Sequence, residues 1–368
     1  MVIAQHLHER VIRRYTGDHA LVESTFLHRL LSKGGMGVMI FFALSGFILY
    51  QLLSRPLLQG KPLNLRAYFW RRVTRLEPPY IVITTAIMLF VTTLGYNSGG
   101  SFLGKGGNSV IGSYLATVTY THTLIYGRPP SFNPPGWSLE TEVQFYILAP
   151  LLVVVLLRLS SAWFRLFVAS LVTFSWPFAM AGLLSPEILD RFPTSVLHAF
   201  PYFMAGVLTC EWMRAVPSAP RWASWAFDVL AVASYLKLMN IVSFHLPLLR
   251  GMEEPLLLVL ILLGAFRGNI IKSALSIPWV ATIGGMCYTI YLVHLPVLEL
   301  LCGVTVRRFV GWDYWSLLAV EAIIGLPAVL LVSGIAFLLL EQPCMRKDWP
   351  IELWDSIKRH RSIRRTVT

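Results

Sequence analysis

The chain has 368 residues, of which 55% are hydrophobic and only 14% are charged, and its formal net charge is +12. Soluble chains usually carry about a quarter of charged residues, so this composition disfavours an ordinary cytosolic enzyme, a disordered protein and a nucleic-acid-binding domain. The positive charge is therefore interpreted by its position along the sequence, as in an integral membrane protein.

The apolar runs predict an all-α, polytopic bundle of transmembrane helices. A helix needs about 20 mainly apolar residues to cross the hydrocarbon layer. Runs of this kind are found at 36–53, 79–96, 142–159, 162–183, 195–213, 224–244, 254–271, 279–302 and 315–340. A weaker run at 109–127 is rich in Thr, Tyr and Gly, and it is either a short span or a re-entrant segment buried in protein.

The start of the chain, MVIAQHLH at 1–8, resembles the last turns of a helix. Eight helical residues rise only about 12 Å, which is too short to cross a bilayer. We count this segment as the truncated first of about ten spans, and we expect the native protein to begin upstream. The alternative is an amphipathic segment, 1–32, that lies on the membrane surface.

Basic residues predict the topology. The stretch 55–75 contains six Lys and Arg residues and should be cytoplasmic by the positive-inside rule. If 109–127 does not cross, three further basic turns and the tail at 346–368 lie on the same side, and only Arg307 and Arg308 lie opposite. We prefer this topology, which divides the chain into a transmembrane domain, 1–345, and a basic cytoplasmic tail, and which places 127–140 outside.

The cysteines give no sign of a cross-link or a metal site. Four of them are widely spaced without a CxxC pair, namely Cys210, Cys287, Cys302 and Cys344. We interpret them as small buried hydrophobic residues, and we predict no metal.

Ionisable residues at membrane depth are costly to bury and are therefore candidates for function. Glu142 opens an apolar run, although a carboxylate there could simply favour the helix dipole. His6 could be an interfacial histidine, and His294, in the middle of a run, could be a packed core histidine as well as a substrate contact. His122 lies on the ambiguous segment and ranks lower.

Five stretches, taken in order, resemble the integral-membrane acyltransferase 3 family. They are GGMGVMIFFALSGFILY (34–50), FWRRVTRLEPPY (69–80), PPGWSLETEVQFYILAP (134–150), GGMCYTIYLVHLPVL (284–298) and LEQPCMR (340–346). Together they cover nearly the whole chain, and the third is the most specific. Two features depart from the family: Val143 replaces the second glutamate of a pair, and the arginine that usually precedes the first-helix histidine would lie before Met1.

The resemblance implies a membrane-embedded acyltransferase of the bacterial inner membrane that acts in O-acetylation or polysaccharide modification. It would move an acyl group, most simply acetyl, from cytosolic acyl-CoA to a hydroxyl of an extracytoplasmic glycan or envelope molecule. The residues that it implicates are the catalytic His6 and Glu142, the CoA-binding Arg71, Arg72 and Arg75, and the substrate-binding Trp137, Ser138 and His294.

Within this implied mechanism, His6 is a general base oriented by Glu142, and the arginines bind the CoA phosphates. An acyl-enzyme on His6 or Ser138 is a second route, and the arginines could instead be topology signals alone. The rival function is a transporter or flippase of an amphiphilic envelope precursor. Such folds tend to show internal repeats, and we find none in this sequence. An inactive relative is a third hypothesis.

Overall fold

The computed structural model describes residues 1–93, 109–185, 194–218, 220–240, 247–346 and 349–350, and within these ranges the regular structure is entirely helical. The helices are α1 (Val2–Ile12), α2 (His19–Glu23), α3 (Phe26–Leu31), α4 (Met36–Leu58), α5 (Leu65–Thr93), α6 (Val110–Val118), α7 (His122–Tyr126), α8 (Trp137–Leu157), α9 (Ala162–Leu183), α10 (Val196–Ala215), α11 (Arg221–Asn240), α12 (Pro247–Arg267), α13 (Ile270–Leu275), α14 (Pro278–Gly285), α15 (Cys287–Thr305), α16 (Tyr314–Ala336) and α17 (Gln342–Cys344). A π turn, Phe337–Glu341, follows α16.

The structure confirms a multi-pass, all-helical membrane protein. Six helical stretches of the described chain are long and apolar enough to cross a bilayer. They are Phe26–Leu58, Leu65–Thr93, Pro134–Leu157, Ala162–Leu183, Cys287–Phe309 and Tyr314–Cys344. The helices α10, α11 and α12 also form where apolar runs predicted them, but they carry charged residues such as Glu211, Asp228 and Glu254. The predicted count of about ten spans is therefore not confirmed.

Helix α1 packs inside the bundle against α15 and α16. Leu7 and Val11 are buried there, so the alternative of a surface segment is wrong for this helix. The helix also continues through the charged residues that were expected to end it, because Arg10 forms an ion pair with Glu299 of α15. The following α2 and α3 expose Leu21 and Phe26, as a segment at the membrane interface would.

The segment 109–127 forms two short helices instead of one long one. Helix α6 has nine residues and rises about 13 Å, well short of the roughly 30 Å hydrocarbon layer. Tyr120, with a φ of 56°, interrupts the helical conformation between α6 and α7. Buried Glu140 of α8 then accepts hydrogen bonds from the backbone amides of His122 and Thr123, over 3.2 and 2.8 Å. These contacts support the predicted non-crossing segment, held by protein.

Helix α5 begins at Leu65, well before the predicted start of its span at residue 79, and it runs through Pro78 and Pro79. A proline inside a helix leaves the carbonyl four residues earlier without its usual donor. Here the Thr74 carbonyl accepts a hydrogen bond from the indole of Trp349, over 3.1 Å. The basic stretch before the prolines is therefore helical, and its arginines lie on the first turns of α5.

Two further predictions are corrected in α14 and α15. The run at 279–302 was predicted as one span, but it divides at Met286 into the two helices. The burial of the cysteines is also corrected at one position. Cys287 is the first residue of α15, directly after this break, and it is exposed, so its interpretation as a buried residue is wrong. Cys210, Cys302 and Cys344 are buried as predicted. Most of the predicted basic tail, 346–368, lies outside the described residues.

Helices α4 and α10 cross at a pair of glycines. Any side chain at Gly46 would collide with the carbonyl oxygen of Phe203, and any side chain at Gly206 would collide with that of Ala43. The Leu-Ser-Gly-Phe element of α4 therefore has a structural reason: its glycine permits this close approach. Its serine, Ser45, faces α8 and the candidate site.

Candidate active site

His6 lies on α1 between a carboxylate and a second imidazole. Its Nδ1 atom is 3.1 Å from Oε2 of Glu9, and Gln5 donates to the other carboxylate oxygen over 2.7 Å. The ring of His294, on α15, lies 5.3 Å from the His6 ring between centroids. Because an ionised carboxylate only accepts hydrogen bonds, we assign the hydrogen to Nδ1, and Nε2 of the neutral ring is then a proton acceptor.

His294 is buried, and its geometry implies the same tautomer. Its Nδ1 atom is 3.1 Å from the carbonyl oxygen of Ile290 and 2.8 Å from that of Tyr291. A carbonyl only accepts, so Nδ1 carries the hydrogen. The buried Nε2 atom has no hydrogen-bond partner within the described part of the chain. Such an acceptor suits a hydroxyl-bearing substrate.

The Trp-Ser-Leu motif at the start of α8 reaches α15 through Ser138. The Ser138 Oγ and Tyr291 Oη atoms are 2.6 Å apart, and the Tyr291 ring lies 5.9 Å from the His294 ring. Trp137 packs edge-on against Phe42 of α4, with ring centroids 6.0 Å apart. Tyr291 thus links the motif to His294. The sequence gives no signal for this role, because a tyrosine in an apolar helix is usually a packing residue.

Glu142 is buried, but it does not contact His6. It accepts a hydrogen bond from Ser45 of α4 over 2.6 Å, and a second from the hydroxyl of Tyr146 on its own helix. Within the described part of the chain no hydrogen bond joins Glu142 to His6, and the carboxylate beside His6 is that of Glu9, so these contacts do not support the expectation that Glu142 orients His6. Residues three apart on a helix are neighbours, so the carboxylate on the same helix is the nearer partner. The catalytic role of Glu142 itself stays a prediction.

Arg72 connects α5 to α8. Its guanidinium carbon lies 4.1 Å from the ring centre of Tyr68 and 5.0 Å from that of Tyr146. Its charge also acts on the carboxylate of Glu142, which is bonded to Tyr146. Cation–π contacts of this kind hold a guanidinium without neutralising it. Glu142 thus belongs with the arginines and not with the histidines.

The two other predicted arginines have different surroundings. Arg75 faces Glu341 of the π turn, with 3.7 Å between Nη2 and Oε1, and Thr289 of α15 donates a hydrogen bond to the same carboxylate. Arg71 is exposed, and no ion pair or ring contact joins it to another described residue. The structure therefore brings Arg72 and Arg75 towards the bundle and leaves Arg71 outside this group.

A buried ion-pair network joins α1 to α15 beside the histidines. Arg10 and Arg14 both pair with Glu299. The side chains of Arg10 and Glu299 are only 10% and 7% exposed, so each charge relies on its partner instead of water. The position of Glu299 inside an apolar run was a signal that could have identified it from the sequence.

A model of the acyltransferase domain family matches residues 1–338, which contain both histidines and the three arginines. The chain belongs to the acyltransferase 3 family. The match confirms the resemblance inferred from the motifs and the predicted enzyme class, that of an acyltransferase.

Two curated relatives match most of this acyltransferase 3 chain. The peptidoglycan O-acetyltransferase OatA of Listeria monocytogenes is 23% identical over 362 residues, which cover 89% of this chain and 54% of OatA. The acyltransferase MdmB of Streptomyces mycarofaciens is 23% identical over 354 residues, which cover 88% of this chain and 84% of MdmB. The chain thus spans about half the length of the Listeria relative. No solved structure matches it.

His122 and Glu140 both help to hold the 109–127 segment in place. His122 bonds to Ser113 over 3.0 Å and to the carbonyl oxygen of Arg128 over 3.0 Å, which gives it a role in holding the 109–127 segment. Glu140, which the sequence did not single out, anchors the same segment through α7. Among the described residues, no group of three or more His, Cys, Asp or Glu side chains is placed to hold a metal ion.

Proposed function

We propose that this acyltransferase moves an acyl group, expected to be acetyl, from cytosolic acyl-CoA to a hydroxyl of an extracytoplasmic glycan or other envelope molecule at the bacterial inner membrane. Family membership and the similarity to a peptidoglycan O-acetyltransferase support this reaction. The observation that carries the proposal is the pair of adjacent imidazoles of His6 and His294. In each ring the hydrogen on Nδ1 points to an acceptor, so Nε2 is the nitrogen that can accept a proton.

His6 is the proposed general base. Its Nε2 atom removes the proton from the acceptor hydroxyl, and Glu9 stabilises the positive charge that develops on the ring. The hydroxyl oxygen attacks the thioester carbonyl carbon, the new C–O bond forms and the C–S bond breaks. The departing CoA sulfur then receives the proton from His6. In this scheme His294 and Ser138 position the hydroxyl, and Trp137 packs against the acceptor.

The alternative route through an acyl-enzyme differs in when CoA leaves. The Ser138 hydroxyl contacts Tyr291, and neither His6 nor His294 forms a hydrogen bond with Ser138. Ser138 therefore lacks the adjacent base that an activated nucleophile needs. His6 could accept the acyl group directly on Nε2. CoA release from the protein before any acceptor is added would favour this second route. Release only with the acceptor present would favour direct transfer.

The arginines serve the donor in this proposal. Arg72 and Arg75 would bind the CoA phosphates through charge-assisted hydrogen bonds, for which guanidinium groups are well suited. Glu142 would act on the donor side, because it bonds Tyr146, whose ring lies beside Arg72. Arg71 is a weaker candidate for the same role, since it is exposed and stands apart from the other two.

The test is turnover by the full chain reconstituted in lipid nanodiscs with radiolabelled acetyl-CoA and envelope glycans. We expect His6→Ala to lower kcat by about 10²–10⁴-fold, the usual contribution of a general base. His19→Ala, at an exposed histidine outside the bundle, should transfer at the original rate. Full turnover in His6→Ala would contradict the assignment of the base. Movement of an amphiphile across the membrane without any acyl transfer would instead support the transporter hypothesis.

A further inference from the structure

A groove of about 350 Å³ lies between α5 and α15. One helical face of α5, from Val82 to Val91, forms one wall, and residues of α15 between Val293 and Leu300 form the other. These walls are almost entirely apolar. The α5 wall extends for about 13 Å at 1.5 Å per residue, so the groove is long enough to hold an extended alkyl chain.

The rim of the groove is both apolar and exposed. Val82, Leu300 and Val332 are 48%, 42% and 39% exposed, whereas Ile83 and Leu295 behind them are buried. In a membrane-spanning protein, exposed apolar side chains of this kind face the hydrocarbon of the bilayer, because water would make such a surface costly. The groove is therefore open sideways to lipid, and a molecule already in the membrane can enter it.

Polar residues also line the groove. They are Arg10, Glu299 and Ser131, and the first two form the buried ion pair that joins α1 to α15. A purely hydrocarbon ligand would leave these groups without new partners. Donors and acceptors side by side are suited instead to a hydroxylated group, which both donates and accepts.

We infer that this groove binds the acyl acceptor, and that the acceptor is an amphiphile with a hydroxylated head group on a long apolar chain. The inference rests on the proposed function. The alkyl chain of the acceptor lies between α5 and α15, and its head group lies at Arg10 and Glu299. Arg10 is one helical turn from His6 along α1, so the hydroxyls of such a head group lie near the proposed base. A water-soluble glycan would have no contact with the apolar walls.

The first experiment measures binding without turnover. The full chain in nanodiscs is irradiated with a dodecyl glucoside that carries a diazirine in its alkyl chain, and the labelled residues are mapped by mass spectrometry. We expect labels on the groove faces of α5 and α15, displaced by unlabelled dodecyl glucoside and not by added phospholipid. Equal displacement by phospholipid, or labels spread over all lipid-facing helices, would overturn the inference.

A pair of variants on α5 gives the matched control. Ala86 lines the groove and is exposed, so Ala86→Trp fills the groove without displacing core residues. Leu89, three residues later, is 52% exposed and lies outside the lining. We expect Ala86→Trp to lose the specific label and Leu89→Trp to retain it. Equal labelling of the two variants would contradict the site.

The second experiment compares acetyl transfer to dodecyl glucoside and to methyl glucoside, which share a head group. The KM of the dodecyl compound should be about a hundredfold lower, in part because it concentrates in the bilayer. The share that belongs to the groove is the part that Ala86→Trp removes, a rise in that KM of about tenfold, while that KM in Leu89→Trp and the KM of the methyl compound stay unchanged. Equal KM values for both glucosides would overturn the inference while the proposed function stands. Transfer to neither would contradict the proposed function, and with it the acceptor role of the groove.

Discussion

The acyltransferase contains two polar clusters that treat charge in opposite ways. In the histidine cluster, which we define as His6, Glu9, His294, Arg10 and Glu299, the buried arginine is matched by a buried glutamate. Two imidazoles lie beside this ion pair, and the hydrogen on Nδ1 of each ring points to an acceptor. The cluster therefore hides its charges and keeps nitrogens that can take up a proton.

In the arginine cluster, which we define as Arg72, Arg75, Glu142, Tyr146 and Glu341, the carboxylates are buried and the positive charges are not. The Glu341 side chain is fully buried, whereas that of its partner Arg75 is 48% exposed. Positive charge is thus presented at the edge of the bundle, where an anionic donor could reach it. The difference supports our proposal of proton chemistry at one cluster and anion binding at the other.

The largest expected effect comes from the buried ion pair of the histidine cluster. Glu299→Ala removes the carboxylate that Arg10 and Arg14 share and leaves Arg10 with the longer, 4.0 Å pair to Glu9, so it should lower the free energy of unfolding by about 3–5 kcal/mol. Glu341→Ala, in the arginine cluster, should cost only about 1–3 kcal/mol, because Arg75 can turn to water.

Thermal and denaturant unfolding of the solubilised chain would measure both values, with Glu23→Ala at an exposed position as the control. Equal losses for Glu299→Ala and Glu341→Ala would show that the two clusters do not differ in how they compensate buried charge.

The next effect concerns the donor. Arg72→Ala and Arg75→Ala should each raise the KM for acetyl-CoA by about ten- to a hundredfold, the amount expected for one charge-assisted hydrogen bond. Arg71→Ala is the comparison on the same helix, and it should raise this KM less, because Arg71 is exposed and lies outside the cluster. Steady-state kinetics with the acceptor at saturation would measure these constants. If all three variants kept the original KM while the protein level held, the arginines would be topology signals only.

The smallest effect separates two glutamates that the sequence could not distinguish by role. Glu9→Gln should lower kcat by about tenfold with little change in the acetyl-CoA KM, because it removes the negative charge beside the proposed base. Glu142→Gln keeps the shape and can still accept from Ser45, so it should change mainly the KM for acetyl-CoA. If Glu142→Gln lowered kcat alone, Glu142 would act with His6 in proton transfer, as the motifs first suggested.

Much of the fold could be predicted from the sequence, because apolar length alone identifies a helix that must lie in lipid. The first turns of α5 could not. Hydropathy does not detect a helix with several arginines, and two prolines argue against one. The partner that permits it, Trp349, contacts Thr74 across 275 residues of sequence, and a contact of this range depends on the assembled bundle.

The candidate site was predicted as a set of residues but not as a set of pairs. His6, Glu142 and His294 stand out because ionisable groups are rare in apolar helices. Which carboxylate meets which histidine depends on the rotation and depth of each helix, and these are set by packing. The helix predicted at 1–8 stops just before Glu9, so the place of Glu9 one turn from His6 was missed.

The glycine crossing of α4 and α10 can form only late in synthesis, because its two glycines lie far apart along the chain. Gly206 leaves the ribosome about 160 residues after Gly46, which at ordinary rates of translation is roughly 8–30 s later. Glu142 emerges within that interval, so Ser45 can bond its carboxylate before α10 arrives. The hydrogen bond between Ser45 and Glu142 can thus form before the close-packed crossing of α4 and α10.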